Sequence, residues 1–378
     1  MRNSETIHNI YPGLSQKMDS IENNSVELVV TSPPYPMIEM WDDIMSTQNP
    51  NIRNAINANN GNLAFELMHK ELDKVWNEVF RVLIPGGIAC INIGDATRTI
   101  NGNFSLYSNH SRIINYFINN GFVNLPNILW RKQTNAPNKF MGSGMLPAGA
   151  YVTLEHEWIL IFRKGGKREF KNVEDKLNRR KSSFFWEERN MWFSDMWDNI
   201  KGTKQKIIKS ESRERSAAFP LEIPYRLINM FSLQGDSVLD PFLGTGTTTI
   251  AAMMSNRNSI GYEIDSHFVD IATENIWSSS ITQINEFIAK RIESHKEFIA
   301  NRLQTKEIKH YNETLGLPVI TSQEINMQLS YLNKIVFLND NTFSATYQGT
   351  LPLEQKDIIF LNKTKSKITP TTQIALPF

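Results

Sequence analysis

The sequence predicts an α/β fold, with a mostly parallel sheet and helices on both faces. Apolar segments of strand character alternate with segments of helical periodicity, which is typical of parallel sheets. One strand, over 26–30, runs into Thr31-Ser32-Pro33-Pro34-Tyr35, where consecutive prolines must end the sheet ladder. Another, over 237–240, runs into a glycine-rich turn that opens a helix. In open α/β sheets, ligands bind at the edge where such strands end.

The predicted elements follow in regular order along the chain. Strands are expected over 26–30, 88–93, 158–162, 237–240 and 259–263, and helices over 64–83, 111–119, 224–232, 247–254, 266–277 and 281–303. Pro85-Gly86-Gly87 is expected to end the first helix. The Asn-rich stretch 48–62 is interpreted as a flexible loop, and residues 311–378 as short strands and loops without an assigned role.

The composition excludes several classes of protein. The chain has 378 residues, with 40 Lys and Arg against 39 Asp and Glu, so it cannot hold nucleic acid by bulk charge. With Cys90 as its single cysteine and seven His, neither a disulfide framework nor a metal site is expected. The first residues form no apolar signal region, and no apolar run is long enough to span a membrane. A cytoplasmic location without membrane contact is therefore expected.

The glycine-rich turn is a candidate nucleoside-cofactor site. Its glycines let the backbone approach a ligand, and the helix that follows offers free N–H groups. Glu263 ends the next strand, where a carboxylate can accept both hydroxyls of a ribose. The turn has no lysine, which excludes a Walker-type loop, and Thr249 replaces the third glycine of a dinucleotide fingerprint. A plain strand-to-helix turn is the alternative. Asp265 is interpreted as a helix N-cap. The motif comprises Asp240, Pro241, Phe242, Leu243, Gly244, Thr245, Gly246, Thr247 and Thr248.

The serine–diproline motif is suited to an exocyclic amino group. Two prolines stiffen the backbone, so that a carbonyl and the Ser32 hydroxyl can be held as acceptors for the N–H protons. Tyr35 offers a flat face on which a planar base can stack. The alternatives are a proline turn that simply ends a strand, and a proline-rich docking peptide. A docking peptide is expected in a disordered segment, whereas this motif follows an apolar strand.

Together the two motifs resemble the DNA amino-methyltransferases that use S-adenosylmethionine. The order, with Ser-Pro-Pro-Tyr first and the glycine turn some 200 residues later, resembles the circularly permuted β group of that family. The resemblance extends from about residue 8 to 277. It includes segments 75–87, Asn92-Ile93-Gly94-Asp95, 129–132, 155–162, Asp195-Met196-Trp197 and 218–222. Family proteins often carry a His shortly before the Phe-Pro pair, where this chain has Arg215 and Ser216.

The resemblance implies a Rossmann-like methyltransferase fold, a cofactor and two sets of site residues. S-adenosylmethionine would be the cofactor, and no metal is expected. The catalytic half would be 1–164 and the cofactor half 216–280, separated by a target-recognition insertion over 165–215 and followed by an extension over 281–378. The residues implied in catalysis are Ser32, Pro33, Pro34 and Tyr35. Those implied in cofactor binding are Phe219, Pro220, Asp240, Pro241, Phe242, Gly244, Thr245, Gly246, Thr247, Thr248 and Glu263.

The implied substrate is a base flipped out of double-stranded DNA. Serine at the first motif position is commoner in cytosine-N4 enzymes and aspartate in adenine-N6 enzymes, so Ser32 favours cytosine N4, with adenine N6 as the alternative. Such methylases commonly protect host DNA from a cognate restriction endonuclease in a restriction-modification system. The sequence is compatible with a monomer or a homodimer.

A basic stretch within the insertion is a candidate DNA contact. Residues 163–181 contain nine Lys or Arg against three acids, and residues 201–215 contain six against two. A solvated surface is the plain interpretation, but the position in the insertion favours phosphate contact. The residues proposed to bind DNA are Arg163, Lys164, Lys167, Arg168, Arg179, Arg180 and Lys181.

Three other functions fit part of the sequence. A nicotinamide or flavin oxidoreductase would use the glycine turn and Glu263 but would leave the motif from Ser32 to Tyr35 without a role. A DNA-binding regulator with a degenerate transferase fold is disfavoured because both motifs are intact. A methyltransferase acting on RNA or on a protein glutamine is a closer alternative, although the glutamine enzymes usually begin the proline motif with Asn.

Overall fold

The structure, a computed structural model, describes residues 5–132, 141–142, 146–201, 219–339 and 341–349. Its strands are β1 (Glu5–Pro12), β2 (Val26–Thr31), β3 (Leu83–Ile93), β4 (Ala96–Ile100), β5 (Asn103–Tyr107), β6 (Phe122–Arg131), β7 (Met141–Gly142), β8 (Ala150–Tyr151), β9 (His156–Lys164), β10 (Met196–Trp197), β11 (Ser237–Asp240), β12 (Asn258–Glu263), β13 (His310–Asn312), β14 (Leu317–Val319), β15 (Tyr331–Asn339) and β16 (Thr342–Gln348). Its helices are α1 (Asp42–Gln48), α2 (Pro50–Asn57), α3 (Gly61–Val82), α4 (Asn109–Asn119), α5 (Val173–Lys181), α6 (Trp186–Trp192), α7 (Glu222–Phe231), α8 (Thr247–Met254), α9 (Ser266–Trp277) and α10 (Ile281–Arg302).

The largest sheet has ten strands in the order β10-β6-β9-β3-β2-β11-β12-β1-β16-β15. Strands β9 and β16 run antiparallel to both of their neighbours, and the other eight share one direction. The predicted α/β fold with a mostly parallel sheet is therefore confirmed. The carboxyl ends of β1, β2, β3, β11 and β12 lie side by side at one end of the sheet along the strand direction, which we call the carboxyl edge. The amino ends of these strands lie at the opposite end, which we call the amino edge.

Alternating side chains of the central strands supply two hydrophobic cores, one on each face of the sheet. Leu28 and Val30 of β2 belong to a core that includes apolar residues of α7, α8 and α9. Val29, between them, belongs to a second core with residues of α3 and α4. Both faces of the parallel strands are thus covered by helices, as buried parallel sheets require.

The region 48–62 differs from its prediction as a flexible loop. It contains α2 and the beginning of α3. The Asn49 side chain accepts a hydrogen bond from the backbone N–H of Asn51, and Pro50 occupies the first helical position. Ile52 and Ala55 are buried one turn apart. The high Asn content favoured a loop in the prediction, whereas the segment forms a short amphipathic helix with a regular N-cap.

Two other boundaries also differ from the predictions. Pro85-Gly86-Gly87 lies inside β3, because α3 ends at Val82 and the strand begins at the next residue. The hairpin formed by β15 and β16 extends the main sheet, since β16 pairs with β1. Part of the carboxyl-terminal extension is therefore continuous with the α/β sheet.

In the described ranges, no helix combines the length and apolar character needed to cross a lipid bilayer.

Candidate active site

The carboxyl edge brings the two motifs into one cleft. Strand β2, which leads to Ser32, pairs directly with β11, which leads to Asp240, and Val29 lies opposite Leu239. Ser32, Pro33 and Pro34 line the same cleft as the glycine turn. The cleft, including its open mouth, contains about 1130 Å³ of empty space. Residues some 200 positions apart in sequence thus form one site because their strands are neighbours.

Most of the predicted cofactor residues line this cleft. Pro220 and Gly246 are not among its lining residues. The Pro220 carbonyl accepts the backbone N–H of Ile223 at the start of α7. A Cβ on Gly246 would lie 3.3 Å from the Cβ of Ala272, so this glycine lets α8 and α9 approach closely. The predicted residues that line the cleft are Phe219, Asp240, Pro241, Phe242, Gly244, Thr245, Thr247, Thr248 and Glu263.

Glu263 fixes the conformation of the glycine turn. Its Oε2 accepts the N–H of Gly244 at 2.8 Å, and its Oε1 accepts the N–H of Asp265 at 3.0 Å. Gly244 has φ of +53° and Gly246 has φ of +85°, a region of backbone conformation that favours glycine. Burial raises the pKa of the Glu263 carboxyl. The carboxylate thus holds the turn and also borders the cleft. Asp265 caps α9 by accepting the N–H of His267, as predicted.

Asp240 places a buried carboxyl beside the cleft. Its oxygens accept hydrogen bonds from the hydroxyls of Thr31 and Thr248, both at 2.6 Å, and from the backbone N–H of Phe242 at 3.0 Å. All three donors are neutral. Burial raises the pKa of this carboxyl to about 6, against the smaller opposing effect of the three donors. Neutral donors leave a buried negative charge uncompensated, so the arrangement fits a ligand that brings a positive charge.

A hydrogen-bonded network lies behind Ser32. The Ser32 Oγ lies 3.2 Å from the hydroxyl of Tyr35, which donates to Glu157 Oε2 at 3.0 Å. Asn92 Nδ2 donates to the Tyr35 hydroxyl at 2.9 Å and to Glu157 Oε2 at 2.7 Å. Lys132 Nζ donates to Glu157 Oε1 at 2.7 Å. Burial, followed by the Glu157 charge, raises the pKa of Tyr35 well above its usual value.

Tyr35 itself is not among the residues that line the cleft. Its ring packs against Gly94, where an added Cβ would lie only 2.9 Å from Tyr35 Cε2. Its hydroxyl is held by the network described above. The sequence identified Tyr35 as a ring on which a base stacks, and that role stays a prediction. The sequence did not indicate that the hydroxyl links Ser32 to Glu157.

Several lining residues were missed because β1 was not predicted. The turn after β1 contributes Gly13, Leu14, Ser15 and Gln16 to the cleft. Glu71 of α3 also borders it and accepts a hydrogen bond from Gln16 Nε2 at 3.1 Å. No alternation of apolar and polar residues marks β1 in the sequence, because the buried positions of the strand include the polar residues Thr6 and His8.

The basic stretch 163–181 begins at the amino edge of the sheet, so the structure does not bring this predicted DNA contact beside Ser32. It follows β9, whose antiparallel direction places Lys164 at the amino edge of the sheet. Lys164 Nζ donates to the backbone carbonyl of Leu83, and Arg168 forms an ion pair with Asp236. Arg163 donates to the carbonyl of Gly165. These three cations are therefore engaged within the fold.

Other basic residues of the insertion are differently placed. Lys167, Arg179 and Arg180 are exposed and Lys181 is half-buried, all on the segment that follows β9. The second basic stretch begins at Lys201, just after β10, which runs parallel to β6 and ends at the carboxyl edge. Residues 202–218, which include Arg215 and Ser216, lie outside the described residues.

Within the described parts of the chain, no cluster of three His, Cys, Asp or Glu side chains is arranged to hold a metal ion.

The fold and the site define a class: an α/β protein whose parallel sheet holds a glycine turn and a serine–diproline corner in one cleft. A sequence profile of the N6/N4 DNA methylase family matches residues 26–274, from the start of β2 into α9. The chain belongs to this family of DNA methyltransferases. The match includes the serine–diproline motif that begins at Ser32, the glycine turn and Glu263.

Two relatives are similar over most of the chain. The type II methyltransferase M.MthZI of Methanothermobacter thermautotrophicus is 49% identical over 93% of this chain and 98% of the relative. The type II methyltransferase M.MjaI of Methanocaldococcus jannaschii is 55% identical over 72% of this chain and 91% of the relative. Among solved structures, the TTHA0409 protein of Thermus thermophilus, complexed with S-adenosyl-L-methionine, is 34% identical with a TM-score of 0.54. That match covers 71% of this chain and 94% of the other.

Proposed function

We propose that this protein transfers a methyl group from S-adenosylmethionine to the exocyclic amino group of a base flipped out of double-stranded DNA, with cytosine N4 as the favoured target. The observation that carries the proposal is the shared cleft: Ser32 and the diproline border the same space as Asp240 and the glycine turn. A site for an amino group and a site for a charged nucleoside are thereby adjacent, as a direct transfer between two bound molecules requires.

The cofactor half of the cleft fits the chemistry of S-adenosylmethionine. Bound there, this molecule supplies a methyl group on a positively charged sulfur, which is a good leaving group. The buried Asp240 carboxylate offers a negative charge to a cationic ligand. Glu263 offers its remaining lone pairs to ribose hydroxyls, and Gly244 leaves room for close approach of the ligand. The solved TTHA0409 relative, which holds S-adenosyl-L-methionine, supports this choice of cofactor.

The serine–diproline corner would orient the target amino group. An exocyclic amine gives its lone pair to the ring, so it is a weak nucleophile. The Ser32 Oγ and the Pro33 carbonyl can accept its two N–H protons and turn the nitrogen lone pair toward the methyl group. Ser32 is a poor base at neutral pH, so the proton leaves after transfer, to water. Tyr35 is proposed to stack on the flipped base.

The biological setting follows from the relatives as a further part of the proposal. Both M.MthZI and M.MjaI are named type II methyltransferases. We infer that this chain modifies a specific DNA site and protects it from a cognate restriction endonuclease. Ser32 in the first motif position favours cytosine over adenine.

The experiment is a methyl-transfer assay with base identification. The protein is incubated with S-adenosylmethionine carrying a labelled methyl group and with DNA of mixed sequence, and the DNA is digested to nucleosides for mass spectrometry. Labelled N4-methylcytosine is the expected product, and Ser32→Ala is the matched inactive control. Labelled N6-methyladenine would replace the cytosine assignment and leave the reaction class intact. Label in RNA or in protein, and none in DNA, would refute the proposal.

A further inference from the structure

The network behind Ser32 has one consistent arrangement of hydrogen atoms. Glu157 is only 9% exposed, and its Oε2 lies 3.0 Å from the Tyr35 hydroxyl oxygen. An ionised carboxylate can only accept, so the single hydroxyl hydrogen of Tyr35 must lie between these two oxygens. Asn92 supports this arrangement, because its Nδ2 donates to both oxygens at once. The other carboxylate oxygen, Glu157 Oε1, accepts a charge-assisted hydrogen bond from Lys132 Nζ at 2.7 Å.

The direction of the Ser32 hydroxyl follows from this arrangement. Since the Tyr35 hydrogen is directed to Glu157, the Tyr35 oxygen can only accept from Ser32. The Ser32 hydrogen therefore lies on the side of Tyr35, and within the described residues no other donor occupies the lone pairs of Ser32 Oγ. At 3.2 Å this contact is long for a hydroxyl–hydroxyl hydrogen bond, as is common before a substrate is bound.

We propose that Glu157 is a positioning residue that acts through Tyr35 to make Ser32 an acceptor for the target amino group. The inference rests on the proposed function, in which Ser32 Oγ receives an N–H proton of the base. Without Glu157, the Tyr35 hydrogen can turn toward Ser32, and the Ser32 hydrogen can turn toward the incoming amine. Two donors would then face each other, and the amine would lose its orientation. Neither Glu157 nor Asn92 needs to touch the substrate for this effect.

A direct test locates the hydrogen atoms themselves. Neutron diffraction from crystals of the whole protein exchanged into D2O is expected to show the Tyr35 deuterium between Tyr35 and Glu157. The Ser32 deuterium is expected between Ser32 and Tyr35. A Tyr35 deuterium directed at Ser32, or a Ser32 deuterium directed away from Tyr35, would overturn the proposal. This result does not depend on methyl transfer, so it is distinguishable from a failure of the proposed function.

A kinetic test separates positioning from a merely structural role. Tyr35→Phe and Glu157→Leu are each expected to slow single-turnover transfer about tenfold at saturating DNA and cofactor, with both dissociation constants unchanged. Glu157→Gln, which keeps an acceptor oxygen for Tyr35, is expected to restore most of the rate. Glu155→Leu is the matched control, because Glu155 pairs with Arg131 outside the network. It is expected to leave the rate unchanged.

The double variant decides whether Glu157 acts through Tyr35. In the Tyr35→Phe protein, Glu157→Leu is expected to cause no further loss of rate, because no hydroxyl remains to be oriented. If Glu157→Leu slows both backgrounds by the same factor, Glu157 acts independently of Tyr35 and the proposal is wrong. Wild-type rates for Tyr35→Phe would also contradict it.

Discussion

Replacing Asp240 by Asn is expected to stabilise the cofactor-free protein and to weaken its binding of S-adenosylmethionine. The Asp240 side chain is buried, and burial raises the pKa of its carboxyl from 3.8 to about 6. The hydrogen bonds from Thr248, Thr31 and Phe242 only partly oppose this rise. The folded protein therefore holds the proton more tightly than the unfolded chain does. Ionisation of Asp240 thus works against folding until a cation arrives.

The size of the effect on the free energy of unfolding follows from the rise in the pKa of Asp240. One pK unit corresponds to about 1.4 kcal/mol, so a rise from 3.8 to about 6 corresponds to about 3 kcal/mol. Because the pKa of Asp240 is higher in the folded protein, the proton bound to this carboxyl stabilises the fold. This stabilisation is complete below the pKa of the unfolded chain and is lost as the pH rises through about 6. Above that pH, the wild-type protein has a free energy of unfolding lower by this amount than a protein with a neutral group at this position.

Asparagine is a suitable neutral replacement at this position. Its Oδ1 can keep the hydrogen bonds from Thr31 and from the Phe242 N–H. Its amide nitrogen would face the Thr248 hydroxyl, which lies 3.5 Å from the Val30 carbonyl and can turn to donate there. We therefore expect a gain of about 1–3 kcal/mol in the free energy of unfolding at pH 8, because the rearranged hydrogen bonds cost part of the benefit.

Urea unfolding without cofactor, at pH 4 and at pH 8, measures the effect. The two proteins are expected to differ little at pH 4 and by about 1–3 kcal/mol at pH 8. Calorimetry is expected to show weaker cofactor binding by Asp240→Asn. The matched control is Asp236→Asn, since Asp236 pairs with Arg168 and its replacement is expected to destabilise the protein. A loss of stability in Asp240→Asn at pH 8, or a difference that does not change with pH, would refute the reasoning.

Three further variants test the site and its surroundings. Ser32→Ala is expected to abolish methyl transfer almost completely while calorimetry finds unchanged cofactor affinity; equal loss of both would make Ser32 structural. Glu263→Ala is expected to weaken cofactor binding by about 1–3 kcal/mol, since acceptors for ribose hydroxyls are lost; an unchanged dissociation constant would remove the carboxylate from the site. Replacing Arg179 and Arg180 together by Ala is expected to leave the salt dependence of DNA binding unchanged, because both follow β9 at the amino edge. A smaller slope of log K against log salt would restore them as phosphate contacts.

Local signals predicted the cofactor half of the fold well. Strand β11 and helices α8 and α9 were predicted within their observed bounds, because strand, turn and helix signals follow each other within about forty residues. Asp265 as N-cap depends only on its immediate neighbours, and the structure agrees. The same locality explains why the glycines could be identified before the fold was known.

Features set by distant residues were not predictable in the same way. Periodicity identified β9 as a strand but carries no information on its direction, so the sequence could not show at which edge of the sheet the basic stretch after it lies. The Tyr35 hydroxyl meets Glu157 across 122 residues, and nothing near Tyr35 in the sequence indicates this partner. The pairing of β16 with β1 joins the two ends of the described chain, and no local pattern specifies it.

Strand β1 also bears on how the protein is made. Its neighbours in the sheet, β12 and β16, both come from much later in the chain. A ribosome therefore releases β1 long before either partner has been synthesised. During that interval its apolar residues Ile7 and Ile10 and both of its hydrogen-bonding edges are exposed, which is the condition under which nascent strands associate with other chains. The sheet can be completed only after residue 348 has been synthesised. A chaperone that covers β1 would therefore protect the nascent chain at the strand that lacks its partners for longest.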